Sequence, residues 1–549
     1  MKKLNRPTAV LLALCLVSGL LPFRSPAASA PLRLTVAADT HFQCAADLGA
    51  FSDDYTAHLL EPDLYGYAST QGQMPYESEA ILAGMLAKFE ASDSGILLIA
   101  GDLTCGKRNS HLAFAEHLRQ TEQNSGKRIF VINGNHDCAA ESGGTGISME
   151  EFREIYADFG YTEAVARHES SASYAVDLND SYRLLAIDSC IYGEDEGKIN
   201  SSVMRWIRQQ TAEAEKSGKT LIAMMHHSLL PHYELQPMID LWQAYAGWFA
   251  DHGIRTVLTG HIHANDISST ASDCGNTLYD IQTGSLIASP NTYRELTCAE
   301  DSVKVESRFI KQIDGSLLPE MLTEAQRGLL AADFPAYAKE YFVTGVGKWL
   351  NRNVGSVNRL ARWFRLKEGT KAYAAAEKLT GTLGNAVGQD IYGPENSIEA
   401  ALAAFGAAIP QSEYRKPYEV AAKLMYGFFH GDERTVSDEA DMTLLLKCLE
   451  GAILTAARDL PDKDALGALC FQLTGRPLSS SALRETAEKL ALALLETLAA
   501  GITDDYSEPA DLNVTLRFSA AGETVPLHAL IRFIRLVLGF VKRAFGGKF

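Results

Sequence analysis

The chain has 549 residues, 46% hydrophobic and 21% charged, with a net charge of −18. This length exceeds one ordinary hydrophobic core, so two or more domains are expected, and the composition is that of a soluble globular protein. The acidity disfavours nonspecific nucleic-acid binding, so a phosphorylated ligand would need a local source of positive charge, and a metal is the obvious one.

Residues 1–30 read as a cleaved export signal. Lys2, Lys3 and Arg6 form a basic start, Ala9–Leu21 is apolar, and "SPAASA" offers a small-residue cleavage site near Ala30. An extracellular or cell-envelope location follows. Loss of this segment would remove Lys2, Lys3, Arg6 and Arg24 and take the net charge to −22. Eight of the nine cysteines would remain, without the regular spacing of a disulfide framework.

Five apolar runs then follow one pattern. "LRLTVAADTH" ends in Asp39 and His41, and "GILLIAGDLT" in Gly101 and Asp102. "RIFVINGNHD" ends in Gly134, Asn135, His136 and Asp137. "KTLIAMMHH" ends in His226 and His227, and "IRTVLTGHIH" in Gly260, His261 and His263. Short runs rich in Val, Ile and Leu are expected of strands covered on both faces. Open α/β sheets carry their sites at the carboxyl ends of such strands. A lone histidine at a strand end is usually structural, but five such endings in one chain leave chance a poor account. Helices are expected between the runs at Glu77–Glu90, Ser110–Ser125, Val203–Ser217 and Pro237–His252. Another starts at a capping box of Ser148 and Glu151 and stops at Gly160. Further strands are expected at Ser173–Leu178, Tyr182–Asp188 and Leu278–Thr283.

Aspartate, asparagine and histidine together are borderline oxygen and nitrogen ligands, suited to Mn²⁺, Fe or Zn²⁺. A carboxylate can bridge two such ions. The chemistry they supply is an ionised water for in-line attack on phosphorus, with an imidazole to protonate the leaving oxygen.

Residues ~32–290 resemble the calcineurin-like metallophosphoesterases, whose signature is D-x-H, GD, GNH[DE], a histidine and GHxH. The chain reads Asp39-Thr40-His41, Gly101-Asp102, Gly134-Asn135-His136-Asp137, His226 and Gly260-His261-Ile262-His263. The resemblance implies a bacterial exported member with a four-layer α/β/β/α sandwich and two divalent metal ions. It places Asp39, His41 and His263 on one metal, Asn135, His226 and His261 on the other, and Asp102 between them. His136 would be the general acid or a clamp on the phosphate, and Asp137 would orient it. Neighbouring side chains on a strand face opposite ways, so only one of His226 and His227 can easily be a ligand, and the resemblance implies His226, because the family usually uses the first of such a pair. His227 would be supporting, and His232 would lie in a loop near the substrate. Cys44, Cys105 and Cys138 stand close to the motifs, as free thiols or with two of them joined.

After residue 312 the composition turns to Ala, Leu, Glu and Lys, and helical periodicity recurs at Lys371–Leu379, Ser397–Ala408, Pro417–Phe429, Asp441–Leu460 and Leu483–Ala500. A mostly α-helical domain is expected over 313–527, following a phosphoesterase domain over 31–312. "LNVTLRFSAAGETVPL" suggests a short hairpin near its end. Residues 528–549 form a basic amphipathic pattern. Its arginines would cost about 2.5–3.5 kcal/mol each at a bilayer centre, so spanning is disfavoured. Such a helix either docks on the acidic body or lies on an anionic membrane surface.

The expected function is an exported, metal-dependent hydrolase of a phosphorylated small molecule, with a phosphodiester favoured over a monoester. The alternative is a non-catalytic, metal-dependent binding protein for a phosphorylated ligand or partner. Decayed ligand positions would mark it, and the motifs show none.

Overall fold

A computed structural model describes residues 31–48, 72–233, 236, 238–320, 322–354, 357, 361, 364–431, 439–502 and 510–519. The proposed export signal and the basic tail 528–549 lie outside the described residues. Among the described residues no helix is long and apolar enough to cross a membrane.

The strands are β1 (Leu32–Ala37), β2 (Ile96–Ala100), β3 (Arg128–Ile132), β4 (Ala166–Arg167), β5 (Tyr174–Asp177), β6 (Tyr182–Ile187) and β7 (Thr220–Met225). They continue with β8 (Ile254–Thr259), β9 (Asp266–Ala271), β10 (Thr277–Gln282), β11 (Thr292–Cys298), β12 (Ser302–Phe309) and β13 (Asn513–Arg517). One sheet has the order β13-β12-β11-β1-β2-β3 and the other β4-β5-β6-β7-β8-β10-β9. β1, β2 and β3 run parallel, as do β6, β7, β8 and β10. β2 is apolar throughout because both of its faces are covered: it reads ILLIA with every residue buried.

Alternation along the second sheet sorts its side chains into two cores. Leu184, Ala186, Ile222, Met224 and Leu258 face the first sheet and join the core containing Leu34, Val36 and Phe130. Leu185, Ile187, Ala223, Met225 and Val257 face the other way, against the helices Ser201–Lys216 and Trp242–Asp251. Helices Ser78–Ala91 and Arg108–Ser125 cover the first sheet, completing the expected four layers. Each fully buried aliphatic side chain contributes about 1.5–3 kcal/mol. Local signals set the helix ends. The Asn200 side chain accepts from the Ser202 and Val203 amides, Ser148 and Glu151 form the expected capping box, and Gly126 ends its helix in the left-handed region.

Two local expectations change. The helix expected at Pro237–His252 spans only Trp242–Asp251, because the chain before it carries His232 into the interior to meet Asp266. The first strand of the expected hairpin is β13, which pairs antiparallel with β12, and the second half of the hairpin lies outside the described residues. The helices between Glu324 and Ile502 are therefore an insertion in the catalytic sheet, and 313–527 is not one separate unit. A fully buried Arg294 fastens the return by donating to the Asp511 carbonyl, while the Ile267 amide donates to Asp511 Oδ1 at 2.8 Å.

The inserted helices are Glu324–Ala332, Phe334–Val354, Lys371–Ala386, Ile398–Ala403, Pro417–His430, Glu439–Asp459, Lys463–Thr474 and Ser480–Ile502. They enclose their own core, including Leu379, Leu424, Leu454, Leu469 and Leu490.

Candidate metal centre

The five apolar runs become β1, β2, β3, β7 and β8, and each delivers its polar residues just past its carboxyl end. Asp39, His41, Asp102, His261 and His263 all have positive φ, between 34° and 76°. For non-glycine residues such backbone costs on the order of 1–3 kcal/mol each and persists only where the surroundings fix it. Here they do. The Asp39 amide donates to Gly101 O at 3.1 Å and the His41 amide to Asp102 O at 2.9 Å. The His261 amide donates to Asp39 Oδ2 at 2.9 Å.

The side chains converge in two sets. His41 Nε2 lies 3.2 Å from His263 Nε2, and His263 Nε2 lies 3.5 Å from Asp39 Oδ1. His226 Nε2 lies 3.1 Å from Asn135 Oδ1. Asp102 Oδ2 stands between the sets, 3.6 Å from His41 Nε2 and 3.2 Å from His226 Nε2. Its other oxygen accepts the His136 amide at 2.9 Å, so one lobe is anchored and the other is presented to both sets. Gly134 makes this approach feasible, because a Cβ there would sit 2.1 Å from Asp102 Oδ1. His261 stands beside the second set, its ring centre 5.0 Å from that of His226.

The protonation states follow from the surroundings. His226 Nδ1 lies 2.9 Å from Ala100 O, which can only accept, so Nδ1 carries a proton and Nε2 faces the cluster. Burial disfavours the His226 imidazolium, but the Asp102 charge outweighs it and lifts the pKa to about 9. Burial alone would raise Asp102, yet His226 holds its carboxyl well below the usual range. Burial depresses His41 to about 3 and His261 to about 4, leaving both neutral and able to donate lone pairs. The donor set fits divalent cations. His41 and His263 beside Asp39, and His226 beside Asp102 with the Asn135 amide oxygen, are two converging sets of nitrogen and oxygen donors of that kind.

His226 offers its Nε2 to Asp102 and Asn135, whereas His227 packs against the His261 ring with centres 4.4 Å apart. His227 Nδ1 pairs instead with Ser189 Oγ at 3.0 Å. His136 is exposed, its ring 5.3 Å from His41 in an edge-on arrangement, as a group acting on a bound substrate requires.

The expected role of Asp137 changes. Its carboxylate accepts three backbone amides, from Gly134 at 2.8 Å, Leu103 at 3.1 Å and Thr104 at 2.9 Å. Those bonds clamp the GNHD turn to the turn after β2, so Asp137 positions His136 through the backbone and not through its imidazole. Burial and the neighbouring Asp102 push its carboxyl up to about 7, against the pull of the three amides.

His232 is not in an open substrate loop. It is fully buried, with Nδ1 2.5 Å from Asp266 Oδ1 and Nε2 3.5 Å from Asp280 Oδ2. All described cysteines, including Cys44, Cys105 and Cys138, are free thiols. Burial raises Cys105 to about 12, which keeps its sulfur protonated.

Two supporting residues carried no sequence signal of their own. Ser285 Oγ donates to Asp39 O at 2.8 Å, and Asn265 links the GHIH turn to its neighbours.

Residues 32–265 match the family model described as calcineurin-like phosphoesterase. This part of the chain is thus similar to the calcineurin-like phosphoesterases, and the match supports hydrolysis of phosphoester bonds and implies divalent metal ions. The phosphoesterase domain is similar to a probable cyclic nucleotide phosphodiesterase of Psychrobacter arcticus, 26% identical over 214 residues, which are 36% of this chain and 70% of that protein. Among solved structures it is similar to a dimetal phosphatase from Danio rerio, with a TM-score of 0.37 and 10% identity over 51% of this chain and 96% of the other. A purple acid phosphatase from yellow lupin (Lupinus luteus) gives a TM-score of 0.34 and 12% identity over 51% of this chain and 52% of the other.

Proposed function

We propose that the protein is an exported phosphodiesterase that works on a phosphorylated small molecule with two divalent cations, Mn, Fe or Zn. The observation that carries this reading is Asp102 Oδ2, set between His41 and His226 with no other hydrogen-bond donor claiming it among the described residues. Asp39, His41 and His263 would hold one cation, Asn135, His226 and His261 the other, and Asp102 both. When bound, such a pair supplies Lewis acidity and a nucleophile at neutral pH.

The chain's own residues do the remainder. The Ala100 carbonyl holds His226 in the tautomer that presents Nε2. The Asp137 clamp fixes the turn that carries Asn135 and His136. The exposed His136 imidazole stands where it can donate a proton to a departing oxygen.

Two features support a diester over a monoester. The relative from Psychrobacter arcticus is described as a phosphodiesterase. The rim is also acidic: exposed Glu194, Asp195 and Glu196 lie in a loop whose Tyr192 hydroxyl accepts from Asn133 at 3.1 Å, beside the GNHD turn. Like charge there penalises a dianionic monoester more than a singly charged diester. Export rests on residues 1–30, and contact with an anionic membrane surface would rest on 528–549.

The test is hydrolysis of bis-p-nitrophenyl phosphate against p-nitrophenyl phosphate by Mn²⁺-reconstituted protein. Faster release from the diester is expected. Faster release from the monoester would overturn the diester assignment, and silence on both with two metals bound would favour a binding protein.

A further inference from the structure

The inserted helices touch the phosphoesterase domain at one telling place. Helix Pro417–His430 ends at Gly431, with φ of 87°, whose amide donates to the Gly427 and Phe428 carbonyls and leaves the Phe429 carbonyl to an outside donor. The Phe429 carbonyl is used by the metal turn: it accepts the Asn265 amide at 3.1 Å and Asn265 Nδ2 at 3.2 Å. Asn265 lies two residues past His263. Its Oδ1 accepts the Gly284 amide at 3.1 Å, and Nδ2 also donates to Thr292 Oγ1 at 2.9 Å. Beside it, the Ser285 amide donates to His263 O at 3.2 Å and Ser285 Oγ to Asp39 O.

Apolar contacts follow the same line. Ala264 is fully buried in the helical core and Ile262 packs against it, so residues on both sides of His263 are held by the insertion. Tyr233, close after His226 and His227 in the chain, meets Phe428 edge-on with ring centres 6.0 Å apart.

We infer that the helical insertion is a positioning device for the metal centre, with the Phe429 carbonyl and Asn265 as the latch that holds His261 and His263 in their left-handed backbone conformation. This rests on the metal-centre reading above. The strained backbone at both histidines needs restraint from its surroundings, and the helix end adds one to those that Asp39, Gly284 and Ser285 supply. Partners of this kind fix ligand geometry, and their loss typically costs about 10–100-fold in metal affinity.

The experiment uses the full-length protein. Asn265→Ala removes the side-chain half of the latch. Gly431→Ala acts from the helix side, because a Cβ there would sit 2.9 Å from Asn265 O, and also 3.1 Å from Asp511 Cβ and 3.2 Å from Leu512 Cδ2. Asn265→Asp is a milder second variant that keeps the acceptor for Gly284. Tyr337→Phe is the control: its hydroxyl donates to Glu77 at 3.0 Å across the same two regions but away from the turn. Mn²⁺ binding to apo protein is measured by calorimetry, alongside Tm and kcat at saturating Mn²⁺.

The latch variants are expected to bind Mn²⁺ about tenfold or more weakly, with kcat largely recovered at saturation. Tyr337→Phe should lower Tm and leave Mn²⁺ affinity unchanged. Latch variants that lose Tm but bind Mn²⁺ as the parent does would overturn the inference. A parent that binds no Mn²⁺ would overturn the metal-centre reading itself.

Discussion

Nε2 of His226 and Oδ2 of Asp102 stand 3.2 Å apart, although β7 and β2, which deliver them, belong to different sheets. The centre therefore exists only where the two sheets meet. Packing of Leu184, Ala186, Ile222 and Met224 against the first sheet sets its geometry as much as the ligands do.

Replacement of His136 separates chemistry from metal binding. Its ring is exposed and stands outside both ligand sets, touching His41 only edge-on. His136→Ala should lose about 10²–10⁴-fold in kcat while retaining its bound metal. Turnover assays paired with metal analysis check this, and unchanged turnover would remove His136 from the mechanism.

The adjacent histidines should behave oppositely. His226→Ala is expected to lose a metal equivalent and nearly all activity. His227→Ala should keep its metal, because the imidazole is turned to Ser189. Equal metal loss from both variants would mean that the wrong histidine has been assigned.

Asp137→Asn tests the clamp. An amide NH₂ in place of one carboxylate oxygen would face backbone donors, stranding at least one of the three amides. A buried unsatisfied donor costs about 1–3 kcal/mol, so Tm should fall together with kcat. A loss of kcat with an unchanged Tm would restore the direct role expected from the motif.

Glu77 should set a pH dependence of stability. Burial raises its pKa from 4.5 to about 8, and Tyr337 donates to it. The folded state thus holds a proton that the unfolded chain releases. The stability it contributes is complete below about pH 4.5 and is lost as pH rises to about 8. Glu77→Gln should flatten the decline in Tm between pH 5 and pH 8, and a decline as steep as the parent's would exclude Glu77 as its source.

The sequence revealed most of the ligand cluster because buried parallel strands are apolar runs and their endings are local. The five motif strands all fall inside the expected runs. β11 and β12 were not legible: "TYRELTC" and "SVKVESRF" mix charged with apolar residues because they are antiparallel and partly exposed, and Arg294 is buried within β11. The return of β13 to β12 across the whole insertion is a long-range pairing that no local pattern encodes. The motif marked Asp137 as important but not its partners, since its donors are backbone amides, two of them in another turn. The positive φ at five ligand residues was equally hidden, because none of them is glycine.

The most direct test of the shared Asp102 is metal content per chain after Mn²⁺ reconstitution, measured with hydrolysis of bis-p-nitrophenyl phosphate as a chelator withdraws the metal. Two equivalents per chain are expected, with hydrolysis falling as they are lost. Saturation at one equivalent, or full hydrolysis by metal-free protein, would contradict a centre built around that carboxylate.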